Sequence, residues 1–376
     1  MACDGQVLRN SSDFAVLNSF GRDFYKVLTK IDGNVIASPL SCMFALGMIH
    51  AGVKGCTKVQ LAQKLKLPED GACAAELFLH VSNLLKDIQN VELSLANKAF
   101  VADGLDILEE YYSVLQKSFF AEAENLNFAL EDATDKINSW VKNRTMDKIV
   151  KLFDEPFDVN TRLVLVNAIY FKGKWASPFD PEETYSADFH PGSKSPVKVP
   201  MMYQRGAFVH THMQDYDAQA LVLPYAGGDI SMVIMLPNKP DGLEELEKKL
   251  GAVELREILK DANSTDVELF LPKFKTETTI ELGPYLALMG LEFLFEGSAD
   301  YSGISKNEKL SLTRMVQKAF IEVNEEGTEA AAASGGSFER SGADVRFCCK
   351  HPFLYFVAYR GQFSLFGGRV SLPTLN

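Results

Sequence analysis

Residues 323–347 read VNEEGTEAAAASGGSFERSGADVRF. The stretch begins as a buried strand would, dissolves into alanine, serine and glycine, and regains strand-like residues only at its end. Written as a β-strand, residues 328–341 place Thr328, Ala330, Ala332, Ser334, Gly336 and Phe338 on one face, all uncharged and mostly tiny. The other face carries Glu329, Ala331, Ala333, Gly335, Ser337 and Glu339. Such a segment is suited both to exposure and to entry into a sheet, with its carboxylates left in water. A flexible surface loop accounts for Gly335 and Gly336, but not for four alanines flanked by strands with the charges confined to one alternation.

Outward from this stretch the chain reads as α+β. From Phe14 the apolar residues Leu17, Phe20, Phe24, Val27 and Leu28 recur at helical spacing. In SPLSCMFALGMIHAG, Ser38 is placed to cap, Pro39 suits the first helical position and Gly52 can end the helix. Apolar residues lie almost all round it, which predicts a buried helix. Beyond Asn160 the segments TRLVLVNAIYF, AQALVLPY, DISMVIMLP, VELFLPKF, LTRMVQKAFIEVN and HPFLYFVAY are rich in β-branched and aromatic residues and predict strands. Helical inserts are expected at 243–250 and near 282–289. No Pro/Ser-rich linker or solenoid-type repeat divides the 376 residues, so one domain over 1–376 is expected.

Asp+Glu 50 against Lys+Arg 38 gives a formal net charge of -12, which opposes binding to nucleic acid or anionic membranes. No apolar run reaches transmembrane length. The first residues, MACDGQVLRNSSDF, lack a basic start followed by an apolar run, which favours a cytoplasmic protein without a cleaved signal peptide. Sequons at Asn10, Asn143 and Asn263 keep secretion open. The six cysteines lack Cys-x-x-Cys spacing, so reduced thiols are expected rather than a disulfide framework or a zinc site.

No motif for an enzyme is present: there is no Gly-x-Ser-x-Gly, His-Glu-x-x-His, phosphate loop or dinucleotide fingerprint. His210 and His212 would share a strand face and could ligate a metal, but no third ligand of strong type lies near in sequence. They read as polar residues on an exposed strand. No cofactor is expected.

The stretch VNEEGTEAAAAS resembles the hinge of the reactive-centre loop in inhibitory serpins, and RFCCKHPFLYFVAY followed by FGGRVSLP is similar to the strands after that loop. The likeness runs along nearly the whole chain, through NVIASPLSCMFALGMIHAGVKGCT, LVNAIYFKGKWASPFDPEET, VPMMYQRGAF and LPYAGGDISMVIMLP. The missing leader and the KHPFLYF segment are similar to the ovalbumin-like branch. The resemblance implies a serpin fold of about nine helices around three β-sheets, with an exposed loop at about 325–345. It also implies a monomer, not an enzyme, that acts as a suicide substrate. A serine protease cuts the loop, remains bound as an acyl-enzyme and is distorted when the loop inserts into the central sheet.

By that resemblance Glu325 and Gly327 lie where the loop leaves its strand, and glycine permits the swing. Thr328 enters the sheet first, followed by Glu329 and by Ala330, Ala331, Ala332 and Ala333, which present no bulk. The family's usual spacing from the hinge glycine places the scissile bond at Ser341-Gly342, which suits an elastase-like pocket, and one residue less places it at Arg340-Ser341. The latter is the expected bond because the Arg340 guanidinium suits a trypsin-like primary pocket, and Phe338 is a weaker chymotrypsin-like option. The resemblance further implies a polar cluster where the central strands part, at Ser38, Ser41, Asn167 and Gln317, the last standing where many serpins have histidine. It also matches Trp175 to a tryptophan at the top of the sheet, where insertion begins. A noninhibitory serpin acting as carrier, chaperone or storage protein would share the fold but would have bulky or charged residues in the hinge.

Overall fold

A computed structural model describes residues 13–68, 70–192, 194–250, 255–306, 310–327 and 343–375. Among them are nine α-helices: α1 Asp13–Leu28, α2 Pro39–Gly52, α3 Gly55–Leu65, α4 Gly71–Lys86, α5 Glu109–Val114, α6 Ala133–Arg144, α7 Leu243–Leu250, α8 Leu255–Ile258 and α9 Leu282–Leu288. The expected capping of α2 holds, since the Ser38 side chain accepts from the Ser41 N–H and Pro39 opens the helix. Apolar residues around its whole circumference leave α2 buried between the two sheets, against β2 (Val91–Ala102) and β4 (Leu163–Gly173) on one side and β14 (Phe363–Val370) on the other.

The smaller sheet has five strands in the order β10 (Phe274–Glu281), β11 (Leu312–Val323), β4, β2 and β3 (Glu122–Leu126). β4 and β11 are parallel and hydrogen-bonded directly to each other, with Leu163 opposite Leu312 and Tyr170 opposite Phe320. β11 and β4 are each antiparallel to their other neighbour, β10 and β2. Helix α6 covers the outer face of this sheet, its Ile137 and Val141 packing with Phe100 of β2, Val164 and Val166 of β4 and Val316 and Phe320 of β11.

The larger sheet runs β1 (Val35–Ala37), β14, β13 (Phe353–Tyr359), β8 (Ile230–Pro237), β7 (Ala218–Pro224), β6 (Val197–Met213), β9 (Asn263–Pro272) and β12 (Val345–Cys348), with β5 (Tyr185–Phe189) also on β6. The third sheet implied by the resemblance is not separate in the hydrogen bonding. The seventeen-residue β6 pairs with β5, β7 and β9 along its length and joins the two parts. The main apolar core extends from Leu17 to Val370 between the sheets.

Two readings are corrected. Strand β2 was not expected, because its Glu92, Ser94, Asn97 and Lys98 break the apolar run, yet it is an inner strand of the smaller sheet. The thiols Cys42, Cys56, Cys348 and Cys349 are free as expected, but Cys73 is disulfide-bonded. Among the described residues no helix is long and apolar enough to cross a membrane.

His50 near the end of α2 is 2% exposed, and among the described residues its Nε2 has no hydrogen-bond partner. Burial, aided by the Lys58 ammonium, pushes its imidazole down to about 4. The unfolded chain takes that proton near pH 6.5, so the stability tied to neutral His50 is full above that pH and is lost as pH falls towards 4. The urea midpoint should therefore drop between pH 7 and pH 4.5, and the drop should be smaller in His50→Gln.

Candidate functional site

Two clusters flank the seam between β4 and β11. In the lower one, Gln317 lies opposite Asn167 across the seam, and Asn97 of β2 lies opposite Asn167 on its other side. Ser38, Ser41, Asn167 and Gln317 are wholly buried and Asn97 nearly so. The Gln317 amide embraces the backbone at the start of α2: its Nε2 donates to Ser38 O at 2.9 Å, and its Oε1 accepts from the Ser38 N–H at 2.9 Å. Gln317 Nε2 also donates to Asn167 Oδ1 at 2.6 Å. Asn167 Nδ2 donates to Ser41 O at 3.0 Å and meets Ser41 Oγ and Asn97 Oδ1. Ser38 Oγ donates to Leu365 O of β14 at 2.6 Å. An amide donates and accepts at once, which lets Gln317 complete this buried network without a titratable ring.

The network is divided by the seam. Ser38 is held by β11 through Gln317, and Ser41 is held by β4 through Asn167. Within this network, among the described residues, Gln317–Asn167 is the side-chain hydrogen bond that crosses from one strand to the other. Parting the strands therefore breaks one side-chain hydrogen bond at this level and leaves each bank anchored on the first turn of α2.

The upper cluster is six residues further along β11, about 20 Å away. Here β11 ends in a tight turn, in which the Asn324 N–H donates to Gly327 O at 3.0 Å and the Gly327 N–H donates to Asn324 O at 3.3 Å. Gly327 has φ +124°, and a Cβ built on it would lie 2.2 Å from Gly173 O. Both the backbone conformation and the space require glycine. The turn is fastened to the chain leaving β4: the Trp175 N–H donates to Glu326 O, the Trp175 indole N–H to Asn324 O, and the Phe179 N–H to Glu325 O. Trp175 is stacked on Tyr225, ring centroids 4.3 Å apart.

Glu325 is a second fastener. Its carboxylate accepts from Thr184 Oγ1 at 2.8 Å and pairs with Lys273 Nζ at 2.8 Å. Burial works against its ionised form, but the hydrogen bonds from Lys273 and Thr184 and the Lys273 charge outweigh it, so the carboxyl stays below its usual range. This contribution is present above the unfolded carboxyl pKa, near 4.3, and is lost as pH falls through the lower folded value.

The structure thus brings Ser38, Ser41, Asn167 and Gln317 together, and separately Glu325, Gly327 and Trp175. Thr328, Glu329, Ala330, Ala331, Ala332, Ala333, Arg340 and Ser341 lie outside the described residues. Sequence reasoning missed Asn97, Thr184 and Lys273. Asn97 had a signal, as a lone amide inside LSLANKAFVA. The other two are tied to Glu325 only by the fold. His210 and His212 stand edge to face, centroids 4.9 Å apart, and His210 shares a hydrogen bond with Gln219. His210 is 5% exposed, which corrects the reading of an exposed pair. Among the described residues no three His, Cys, Asp or Glu side chains are grouped to hold a metal.

The family model described as Serpin (serine protease inhibitor) matches residues 15–373. Human Serpin B4 is 37% identical over 367 residues, 91% of this chain and 94% of the relative. Leukocyte elastase inhibitor of Xenopus laevis is 38% identical over 356 residues, 91% and 93% of the two chains. The crystal structure of Serpin48, a highly specific serpin of the insect Tenebrio molitor, superimposes with a TM-score of 0.89 at 34% identity, covering 98% of this chain and 100% of that one.

Gln317→Met should cost on the order of 3 kcal/mol by urea unfolding, because the buried Ser38 N–H and Asn167 Oδ1 lose their partner and Ser38 O keeps the Cys42 N–H alone. Gly327→Ala should lower the thermal midpoint through backbone strain of about 1–3 kcal/mol and the clash with Gly173 O.

Proposed function

The chain belongs to the serpin family, in its ovalbumin-like branch, and we propose that it is a suicide-substrate inhibitor of a serine protease, working as one domain over residues 1–376. The matching family is described as a serine protease inhibitor, and one relative is named for inhibiting leukocyte elastase. The single observation that carries the reading is the closed parallel pairing of β4 with β11, which ends in the glycine turn at Gly327. A chain that doubles back at this turn and enters the seam runs antiparallel to both neighbours. One parallel ladder is then exchanged for two antiparallel ones, each slightly more stable per residue. Residues 328–341 extended would span about 48 Å, against about 40 Å for the twelve residues of β11.

In this reading Glu325 and Gly327 form the hinge, Trp175 marks where entry begins, and Thr328 enters first with Glu329 and Ala330 to Ala333 behind it. Ser38, Ser41, Asn167 and Gln317 mark where the strands part. Strand addition of this kind is an established mode of peptide uptake by a sheet. The inhibitor works only if insertion outruns hydrolysis of the acyl-enzyme. Arg340-Ser341 is the proposed scissile bond and a trypsin-like protease the proposed target. The second reading, cleavage at Ser341-Gly342 by an elastase-like enzyme, is favoured by the relative named for inhibiting leukocyte elastase. A cytoplasmic setting rests on the ovalbumin-like relationship, whereas the disulfide at Cys73 and the sequon at Asn263 suit a secreted protein. Intact mass of the native protein before and after deglycosylation separates the two.

Incubation with trypsin-like, elastase-like and chymotrypsin-like proteases should give a complex that survives denaturing electrophoresis, with a released peptide beginning at Ser341. A peptide beginning at Gly342 supports the elastase-like reading. Clean cleavage without a complex across the panel would move the function to a noninhibitory serpin. Thr328→Arg should be cut as a substrate without trapping, because a charge would have to enter the sheet interior; undiminished trapping refutes insertion.

A further inference from the structure

The described chain resumes at Ala343, and β12 begins at Val345. From the bond after Arg340 to Arg346 is at most about 20 Å of extended chain, whereas a domain of about 200 residues has a radius of gyration of about 16 Å. An enzyme seated on that bond is within reach of β12.

We infer that the outward face of β12, β9 and β6, centred on Arg346, is a second contact surface for the target protease and fits acidic side chains at the rim of its cleft. The inference rests on the proposed inhibitory function and adds the chemistry of the partner. β12 is the edge strand, paired with β9, and β6 lies beyond. The register aligns Arg346, Glu268 and Arg205 in one row across the three strands, and Cys348, Phe270 and Tyr203 in the next. The Arg346 guanidinium lies 4.8 Å from the centre of the Phe270 ring, and the Lys350 ammonium lies 6.0 Å from it. Tyr203 packs against the same ring at 5.0 Å.

The charges on this face are unequally satisfied. Arg205 is clamped to Asp266 by its Nε and Nη2. Arg346 approaches Glu268 only to 3.9 Å, and its side chain is 64% exposed. Asp344, exposed two residues before it, is the opposing charge on the same segment. On a chain of net charge -12, Arg346 and Lys350 held over an aromatic ring form a local cationic feature at the point where the enzyme arrives. Arginine and tyrosine are the residues that most often anchor interfaces, and charges at an interface rim act mainly on the association rate.

The test is the rate of covalent complex formation, and the number of inhibitor molecules consumed per enzyme, with anionic and cationic trypsins, which share a primary pocket but differ in surface charge. Arg346→Glu should slow complex formation with anionic trypsin about tenfold at low salt, Arg346→Gln less, and neither should change the stoichiometry or the thermal midpoint. The difference should vanish near 1 M salt, where the Debye length is about 3 Å. Lys306→Glu, the same charge change beyond the far end of β11, should have little effect. Equal slowing by Lys306→Glu, no slowing by Arg346→Glu, or a changed stoichiometry overturns the inference while leaving inhibition intact. Cleavage of the wild-type chain by both trypsins without a covalent complex refutes the trypsin-like target and removes this inference with it, whereas the proposed inhibition falls only if the elastase-like and chymotrypsin-like enzymes also form no complex.

Discussion

The ladder between β4 and β11 is the constraint on which the rest of the molecule depends. Two parallel strands need a long crossover between them, and here the connection from the end of β4 to the start of β11 occupies residues 174–311. Within that span lie β5 to β10, which build much of the larger sheet and the outer edge of the smaller one. The pairing therefore joins strands far apart in the chain and has no support from local sequence. Its lower half is guarded by the amide row of Asn97, Asn167 and Gln317, and its upper end by the turn locked under Trp175.

The amide row has a cost that apolar side chains would not have. Three amides and two hydroxyls are taken out of water, and each must find partners within the protein. They do so by sharing the first turn of α2, whose own unsatisfied backbone groups are part of the network. Buried polar networks specify one arrangement more than they stabilise it. Here the arrangement specified is one in which the two banks are joined by a single side-chain bond.

Much of this was legible in the residues because local rules and the fold agree. Helix α2 declared itself through Ser38, Pro39 and an unbroken apolar run, and α7 was read with its observed ends. The strand-rich half was visible wherever both faces are buried, as in β4 and β13, whose residues need no alternation. β2 was not, because Lys98 is buried there only by virtue of Glu122 and Glu124 on the neighbouring β3. The same limit applies to the site. Gly327 stands out in any reading of VNEEGTE, whereas Lys273 acquires meaning only when the fold carries it to Glu325.

The place of the last strands in the larger sheet bears on how the chain is made. β13 and β14 are inner strands, and β14 lies between β13 and β1, which is only three residues long and comes from the other end of the chain. Until β13 and β14 are synthesised, α2 lacks β14 to lie against and β8 has an open edge. The core therefore cannot close during synthesis, and a chain of high contact order spends that interval with apolar strands uncovered. Loss of even the last few residues of β14 would remove the strand that joins β1 to β13, which makes β14 a folding element as much as any helix of the core.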